Sequence, residues 1–149
     1  MYNTLCTSCF ADRGAARTCP SCGFEEPVEL HLSGVALPPR TMLEHYLVGR
    51  TLKKPGRFGL TYVGWDANLH MRVIISEFLP VTVATRAAGG LDVVPISADD
   101  AAAVARGIEA FLADGRKLRQ IDHPNVARVL AAFRAHNTAY LVTEYRPAP

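Results

Sequence analysis

Residues 72–80 read Arg-Val-Ile-Ile-Ser-Glu-Phe-Leu-Pro, and they are the best guide to the fold of this chain. Val, Ile and Phe are frequent in β-strands, and proline interrupts them, so the pattern predicts a strand over 72–78. Further β-branched and aromatic runs, bounded by Gly, Pro or Asn, predict strands over 46–52, 60–65, 126–133 and 139–144. The sequence therefore predicts a five-stranded antiparallel sheet.

One helix is predicted between the third and fourth strands. Ser97 can cap a helix, Asp99 and Asp100 suit a first turn, and apolar residues then recur with a period near 3.6. These apolar residues are Val104, Ile108, Phe111, Leu112, Leu118 and Ile121. Gly107 and Gly115 each weaken the helix by roughly 1 kcal/mol relative to alanine, so we expect its position to be adjustable. The predicted fold class is α+β, with one main helix packed on the sheet.

All four cysteines occur in two Cys-x-x-Cys pairs, Cys6 with Cys9 and Cys19 with Cys22. Two such tight turns bring four thiolates around one centre, as tetrahedral Zn²⁺ requires, and Gly23 suits the left-handed turn after the second pair. Four protein ligands close the shell, so we predict a structural zinc ribbon, with iron in a rubredoxin-like site as the chemical rival. Disulfides or a redox Cys-x-x-Cys are alternatives that a reducing cytosol disfavours.

Three segments are predicted along the chain: a zinc ribbon over 1–25, a linker over 26–41, and the sheet with its helix over 42–149. About twenty residues cannot bury a self-sufficient core, so metal binding should supply most of the folding free energy of the ribbon. The linker contains a candidate strand over 28–32. We expect its His31 to be a surface histidine, because the cysteines already complete the metal shell.

The composition is ordinary for a soluble globular protein, with 49% hydrophobic and 20% charged residues among 149. No apolar run approaches the ~20 residues that span a bilayer, and the start of the chain lacks the pattern of a secretory signal. We therefore expect a cytoplasmic protein without a membrane partner. The net charge is only +2, with basic residues scattered among acidic ones, so nucleic acid is not an expected partner, and contact through the ribbon is the weakest alternative.

Several short motifs follow one another between residues 46 and 145. Residues 54–59, Lys-Pro-Gly-Arg-Phe-Gly, are similar to the kinase glycine-rich loop, and 122–126, Asp-His-Pro-Asn-Val, are similar to a His-Pro-Asn-Ile turn. Residues 138–145 match a fifth strand and hinge. As an ordered set, these motifs resemble the amino-terminal lobe of bacterial serine/threonine protein kinases.

Three further short motifs restrict the resemblance to one group of these kinases. Gly-Trp-Asp at 64–66, Glu-Phe-Leu-Pro at 77–80 and Ala-Thr-Arg at 84–86 are typical of bacterial kinases that carry a small cysteine-rich module ahead of this lobe. The resemblance implies a kinase-like lobe that follows a zinc ribbon.

The resemblance also implies a nucleotide site, and several of its positions hold unusual residues. Ser76 stands where an active kinase has the lysine that binds the α- and β-phosphates of ATP. Ile74 replaces a small alanine over the adenine, Lys54 replaces the first loop glycine, and Asp114 replaces the helix glutamate that pairs with the lysine. The degenerate site is completed by Gly56, Gly59 and Thr143. ATP is therefore not an expected cofactor.

The sequence after Tyr145 contains no His-Arg-Asp and no Asp-Phe-Gly motif, so the resemblance implies that the chain is not an enzyme. We expect a pseudokinase-like interaction or regulatory module that docks a partner protein, another domain of a parent chain or a second copy near Ile74 and Thr143. The alternative is the N-terminal part of a longer kinase or pseudokinase that retains nucleotide binding, with Lys53 or Lys54 replacing the missing lysine.

Overall fold

The computed structural model describes residues 4–25, 35–52 and 59–146. The elements are β1 Met42–Leu43, β2 Tyr46–Thr51, β3 Gly59–Asp66, β4 Met71–Phe78, β5 Ala84–Arg86, β6 Val93–Pro95, α1 Ala101–Arg119, β7 Val129–Ala135 and β8 Thr138–Glu144. The main sheet has six antiparallel strands in the order β1-β2-β3-β4-β8-β7, and a second small sheet pairs β5 with β6. Within the described ranges one long helix, α1, connects the small sheet to β7.

The predicted α+β fold is confirmed. The five predicted strands correspond to β2, β3, β4, β7 and β8, and the sixth is the two-residue β1, which is too short to leave a pattern in the sequence. The predicted fourth strand, 126–133, starts too early. Residues 123–126 instead form a turn, closed by a 3.0 Å hydrogen bond from the Val126 N–H to the His123 carbonyl, so pairing begins only at Val129.

Helix α1 begins after a 3₁₀ turn, Ala98–Asp100. The Ser97 hydroxyl donates a hydrogen bond to the Asp100 carboxylate at 3.0 Å, and it does not cap a backbone N–H as the sequence suggests. The buried face of the helix contains Val104, Ile108, Leu112 and Gly115. Leu118 and Ile121 share the predicted periodicity but are 38% and 44% exposed. The apolar stripe therefore extends beyond the part of the helix that the sheet covers.

Side chains alternate along β4 and divide the main sheet into two faces. The Glu77 face is buried and contains Tyr62, Val73, Ile75, Glu77, Tyr140 and Val142. The Ser76 face contains Thr61, Val63, Ile74, Ser76, Leu141 and Thr143, most of them half-buried. Residues 35–37 and the β5–β6 hairpin cover the Glu77 face, and α1 packs on the Ser76 face.

Two glycines allow α1 to approach the Ser76 face closely. A Cβ atom on Gly107 would lie 2.4 Å from the Phe78 ring, and one on Gly115 would lie 2.7 Å from the end of the Leu141 side chain. From the sequence alone, these glycines predict a helix whose position is adjustable. In the structure they provide the space that the helix needs to pack against the sheet.

The second half of the predicted linker joins the core of the lobe. Leu37 is buried, and its N–H donates a 3.0 Å hydrogen bond to the Tyr62 hydroxyl. The candidate strand 28–32 and His31 lie outside the described residues. Across 4–25, 35–52 and 59–146, no helix has the length and apolar character needed to cross a bilayer.

Candidate functional site

The four cysteine sulfurs converge on one point at the N-terminal end of the chain. The Sγ atoms of Cys6 and Cys22 are 3.7 Å apart, as are those of Cys9 and Cys19, and all four lie within 4.8 Å of one another. A tetrahedral metal with bonds of ~2.3 Å separates its sulfur ligands by ~3.8 Å. A disulfide requires ~2.05 Å, and all four cysteines are free. The cluster can therefore bind a metal such as zinc.

Backbone turns hold the sulfurs in place, and the two halves of the cluster repeat the same arrangement. The Ser8 N–H donates to the Cys6 sulfur at 3.3 Å, and the Ser21 N–H donates to the Cys19 sulfur at 3.4 Å. Each turn then passes through a left-handed residue. That residue is Gly23 after the second pair, as expected, with φ 81°.

In the first half, the left-handed residue is Phe10, with φ 63°. A bulky side chain is rare at such a φ, so the sequence gives no sign that Phe10 adopts this conformation. Its amide donates to the Cys6 carbonyl just as the Gly23 amide donates to the Cys19 carbonyl. We call the segment 5–10, which contains the first cysteine pair, the first knuckle.

The thiols already differ in their tendency to ionise. Backbone N–H groups of Cys22 and Ser21 lower the pKa of the Cys19 thiol to about 6, whereas burial raises the pKa of the Cys9 thiol to about 12. A bound divalent cation favours the thiolate form of every ligand, so binding at this cluster releases protons. Metal affinity should therefore increase with pH.

The first knuckle packs on the Ser76 face of the sheet. The Phe10 ring stacks on Trp65 with centroids 5.6 Å apart, and Phe10 forms a buried cluster with Leu47 and Val63. Leu5, Leu52 and Tyr145 pack around this cluster. Val63 pairs with Ile74, so the ribbon lies beside the positions that the kinase resemblance assigns to adenine. No pattern in the sequence indicated this contact.

Hydrogen bonds from Arg40 and Arg50 attach the same knuckle to the lobe. The Arg50 N–H donates to the Thr7 carbonyl and its Nε donates to the Ser8 hydroxyl, both at 2.9 Å, and Arg40 Nη2 donates to the Leu5 carbonyl at 2.7 Å. Gly49 makes this approach possible, since a Cβ atom there would lie 2.4 Å from the Thr7 carbonyl oxygen. The ribbon and the lobe are therefore packed against each other.

The structure brings together three of the positions assigned to the degenerate nucleotide site. Ile74 pairs with Thr143 across β4 and β8, and Ser76 is two residues further along the same face. All three side chains are half-buried. They lie between α1 on one side and the ribbon on the other, so Ile74, Ser76 and Thr143 form the centre of the Ser76 face.

Within the described residues, the structure does not bring the other positions assigned to the degenerate nucleotide site together with these three. Gly59 starts β3 with φ 138°, and a Cβ atom there would lie 2.0 Å from the Glu77 carbonyl oxygen, so only glycine fits. Lys54 and Gly56 lie outside the described residues, as does Lys53. Asp114 is exposed on α1, and in the described part of the chain no hydrogen bond joins it to Ser76. Its neighbour Gly115 is the residue that faces the sheet.

A curled antiparallel sheet, one main helix and a cluster of four cysteines together give a kinase-like α+β fold. Among solved structures, PpkA-294 in its apo form, from a bacterial serine/threonine kinase, is similar, with a TM-score of 0.69 and 24% sequence identity. The similarity covers 74% of this chain but only 38% of that chain. At this identity the likeness concerns the fold. No protein-family model matches the sequence, and no curated protein does.

Proposed function

We propose that this chain is a non-catalytic, pseudokinase-like interaction or regulatory module in which a structural zinc ribbon is joined to a kinase-like lobe. The observation that supports it is Ser76. Its side chain is short and neutral, and it lies on the half-buried face between α1 and the ribbon. The kinase resemblance assigns this position to the phosphate-binding lysine. A phosphoryl-transfer site depends on such charges, because its catalysis consists mainly of positioning and electrostatic stabilisation.

Two neighbouring features agree with this proposal. Ile74 adds branched volume to the same face and would occupy part of the space for a purine ring. Asp114 is exposed, and this position does not favour Asp114 as a substitute for the helix glutamate that pairs with the kinase lysine.

The only lysines of the chain are Lys53, Lys54 and Lys117, and Lys117 is exposed in the last turn of α1. A relocated lysine would therefore have to be Lys53 or Lys54.

The metal in this proposal is Zn²⁺ with a structural role. Four thiolates complete a tetrahedral shell and leave no position for a substrate or a reactive water. Metal analysis of protein purified without chelator should find one zinc per chain. Iron instead of zinc would indicate the rubredoxin-like alternative, and a metal-free protein would contradict the ribbon assignment.

The expected partner is a protein, another domain of a parent chain or a second copy. Leu118 in the last turn of α1 and Ile121 just after the helix are exposed, and they extend the apolar stripe beyond the sheet. Exposed apolar residues suit protein docking. The near-neutral charge does not favour nucleic acid, and that alternative requires a salt-dependent shift with DNA or RNA.

Calorimetric titration of the zinc-loaded protein with ATP, with and without Mg²⁺, tests the proposal. For the natural chain we expect no heat of ATP binding, and no rise in melting temperature when ATP is added. Ser76→Lys is the matched variant, since it returns the cation without altering the ribbon. Micromolar ATP binding by the natural chain would contradict the closed nucleotide site.

The second candidate is the N-terminal part of a longer kinase or pseudokinase that retains nucleotide binding. The observation that favours it is that the similarity to PpkA-294 covers 38% of that chain. ATP binding that is lost in either Lys53→Ala or Lys54→Ala but kept in Lys117→Ala would support a relocated lysine and this second candidate.

A further inference from the structure

We propose that metal binding at the four cysteines holds the first knuckle on the Ser76 face, and that metal loss uncovers the apolar surface formed by Leu47, Val63 and Trp65. The ribbon is then a metal-dependent cap on the sheet. The proposal does not depend on whether the lobe binds nucleotide, because it concerns only the contact between ribbon and sheet.

The contacts that bury this surface come from the knuckle that holds the first cysteine pair. Phe10 supplies the buried ring, and Leu5, Thr7 and Ser8 supply the carbonyl and hydroxyl groups that accept hydrogen bonds from Arg40 and Arg50. From the second half of the ribbon, the Phe24 ring lies with its centroid 5.5 Å from the Arg50 guanidinium carbon, outside the buried cluster.

The conformation of the first knuckle depends on its cysteines. Phe10 follows Cys9 directly, and its amide bonds to the carbonyl of Cys6 at 2.9 Å. A φ of 63° is unfavourable for phenylalanine, so another constraint must maintain it. Convergence of both sulfurs on one metal supplies that constraint, since a segment of this size has no core of its own. Without the metal, the knuckle loses the geometry that presents Phe10 to the sheet.

The surface under the knuckle is shaped to receive it. Gly49 has no side chain where the Thr7 carbonyl approaches β2, and Leu47 and Val63 are buried beneath Phe10. Val63 pairs with Ile74, so this surface is continuous with the half-buried centre of the Ser76 face. Release of the knuckle would join the two into one larger apolar area.

Trp65 is the only tryptophan in the chain, so its fluorescence reports directly on the cap. The experiment uses the full chain loaded with Zn²⁺ and measures acrylamide quenching and emission wavelength before and after a strong zinc chelator, then after Zn²⁺ is returned. We expect chelation to increase quenching and shift emission to the red, and zinc to reverse both changes. Unchanged quenching in protein proven metal-free would overturn the proposal.

Phe10→Gly separates docking from metal binding. Glycine suits the left-handed φ and occupies the equivalent place, Gly23, in the second half of the ribbon, so the variant should keep one zinc per chain. Acrylamide should nevertheless quench Trp65 in the zinc-loaded variant as strongly as in the chelated natural protein. Chelation of the variant should change this quenching little. A zinc-loaded Phe10→Gly protein with a fully shielded Trp65 would refute the role of Phe10.

Two controls complete the design. Phe24→Ala removes a ring from the other half of the ribbon and should leave Trp65 shielded when zinc is bound; exposure of Trp65 in this variant would refute the assignment of docking to the first knuckle. Far-ultraviolet circular dichroism should show that α1 survives chelation. If chelation removed both the helix signal and the shielding of Trp65, the proposal would also be overturned, because the metal would then support the whole fold.

Discussion

Glu77 and Arg86 form a bidentate ion pair in the interior of the lobe. Arg86 Nη2 donates to Glu77 Oε1 at 2.6 Å and Nη1 donates to Oε2 at 3.0 Å, and the two side chains are only 5% and 0% exposed. The hydroxyls of Tyr62 and Tyr140 donate to the same carboxylate at 2.8 and 2.5 Å. The remaining Arg86 hydrogens bond the carbonyl of Val35 and that of Leu91.

This network joins three parts of the chain on the Glu77 face: β4, the β5–β6 hairpin and the segment that begins at Val35. Burial raises the pKa of Tyr62 and of Tyr140, so both hydroxyls keep their protons and act as donors. Burial alone would lower the pKa of Arg86, but the hydrogen bond with Glu77 outweighs it, and the net shift is upward. The network is therefore charged and fully hydrogen-bonded.

Replacing Arg86 should be strongly destabilising. Arg86→Met leaves the Glu77 carboxylate buried without its counter-charge, a change that typically costs about 3–5 kcal/mol. The double variant Glu77→Gln/Arg86→Met should recover part of this loss, because the uncompensated charge is gone. Urea unfolding of the zinc-loaded chain measures both effects.

The exposed ion pair of Arg134 with Glu109 is the control for this prediction. Because water screens it, Arg134→Ala should cost less than about 1 kcal/mol. Equal losses for Arg86→Met and Arg134→Ala would contradict the importance of the buried network.

The sequence predicted the elements of the fold more completely than their contacts. Runs of β-branched residues located the main strands, and Cys-x-x-Cys spacing identified four sulfurs that do converge, because both signals are local. The short motifs that contain Glu77 and Arg86 could be recognised in the sequence. The pairing of these two residues could not, since it depends on how the β5–β6 hairpin folds back over the sheet. The docking of Phe10 on Trp65 left no signal for the same reason.

The helix illustrates a different limit. Assigning Asp114 to the place of the kinase glutamate requires the rotation of α1, and a shift of one residue turns a helix by about 100°. The structure places Gly115 against the sheet and leaves Asp114 exposed. The role of Asp114 stays a prediction, and periodicity alone could not decide which of the two residues faces the sheet.

The stability of the lobe should decrease in mild acid because of His136. This residue lies in the β7–β8 turn, where its Nδ1 contacts the Tyr140 hydroxyl at 2.9 Å, and burial lowers its pKa below the ordinary value. The unfolded chain then takes up a proton at a higher pH than the folded chain does. The stabilisation is complete above pH ~6.5 and is lost as the pH falls from there through the folded pKa.

His136→Gln should flatten this part of the profile, because glutamine does not titrate in that range. Urea midpoints between pH 8 and pH 5 for the natural chain and the variant measure the difference. Parallel profiles over the whole interval would show that His136 does not link stability to pH.

Loss of one metal ligand should unfold the ribbon but spare the lobe. Cys19→Ser removes a buried sulfur that two backbone N–H groups approach, and the ribbon has no core to replace the lost metal. Limited proteolysis should then cut within residues 4–25 while the segment 59–146 stays protected. Ser21→Ala is the matched control, since only its backbone contacts the cluster. Equal protection of Cys19→Ser and the natural chain would exclude metal-coupled folding.

Gly107→Ala tests whether close packing or helix propensity governs α1. Alanine is the better helix former by about 1 kcal/mol, so propensity alone predicts a more stable protein. The new Cβ, however, would lie 2.4 Å from the Phe78 ring, which is itself packed against Phe111 at 5.5 Å between centroids. Overpacking of this kind costs about 1–3 kcal/mol, so we expect net destabilisation in urea unfolding.

At Gly115 the obstructing atom is the flexible end of Leu141, so Gly115→Ala should be less destabilising than Gly107→Ala. Stabilisation by Gly107→Ala would mean that the ring moves aside and that the glycine serves no packing role.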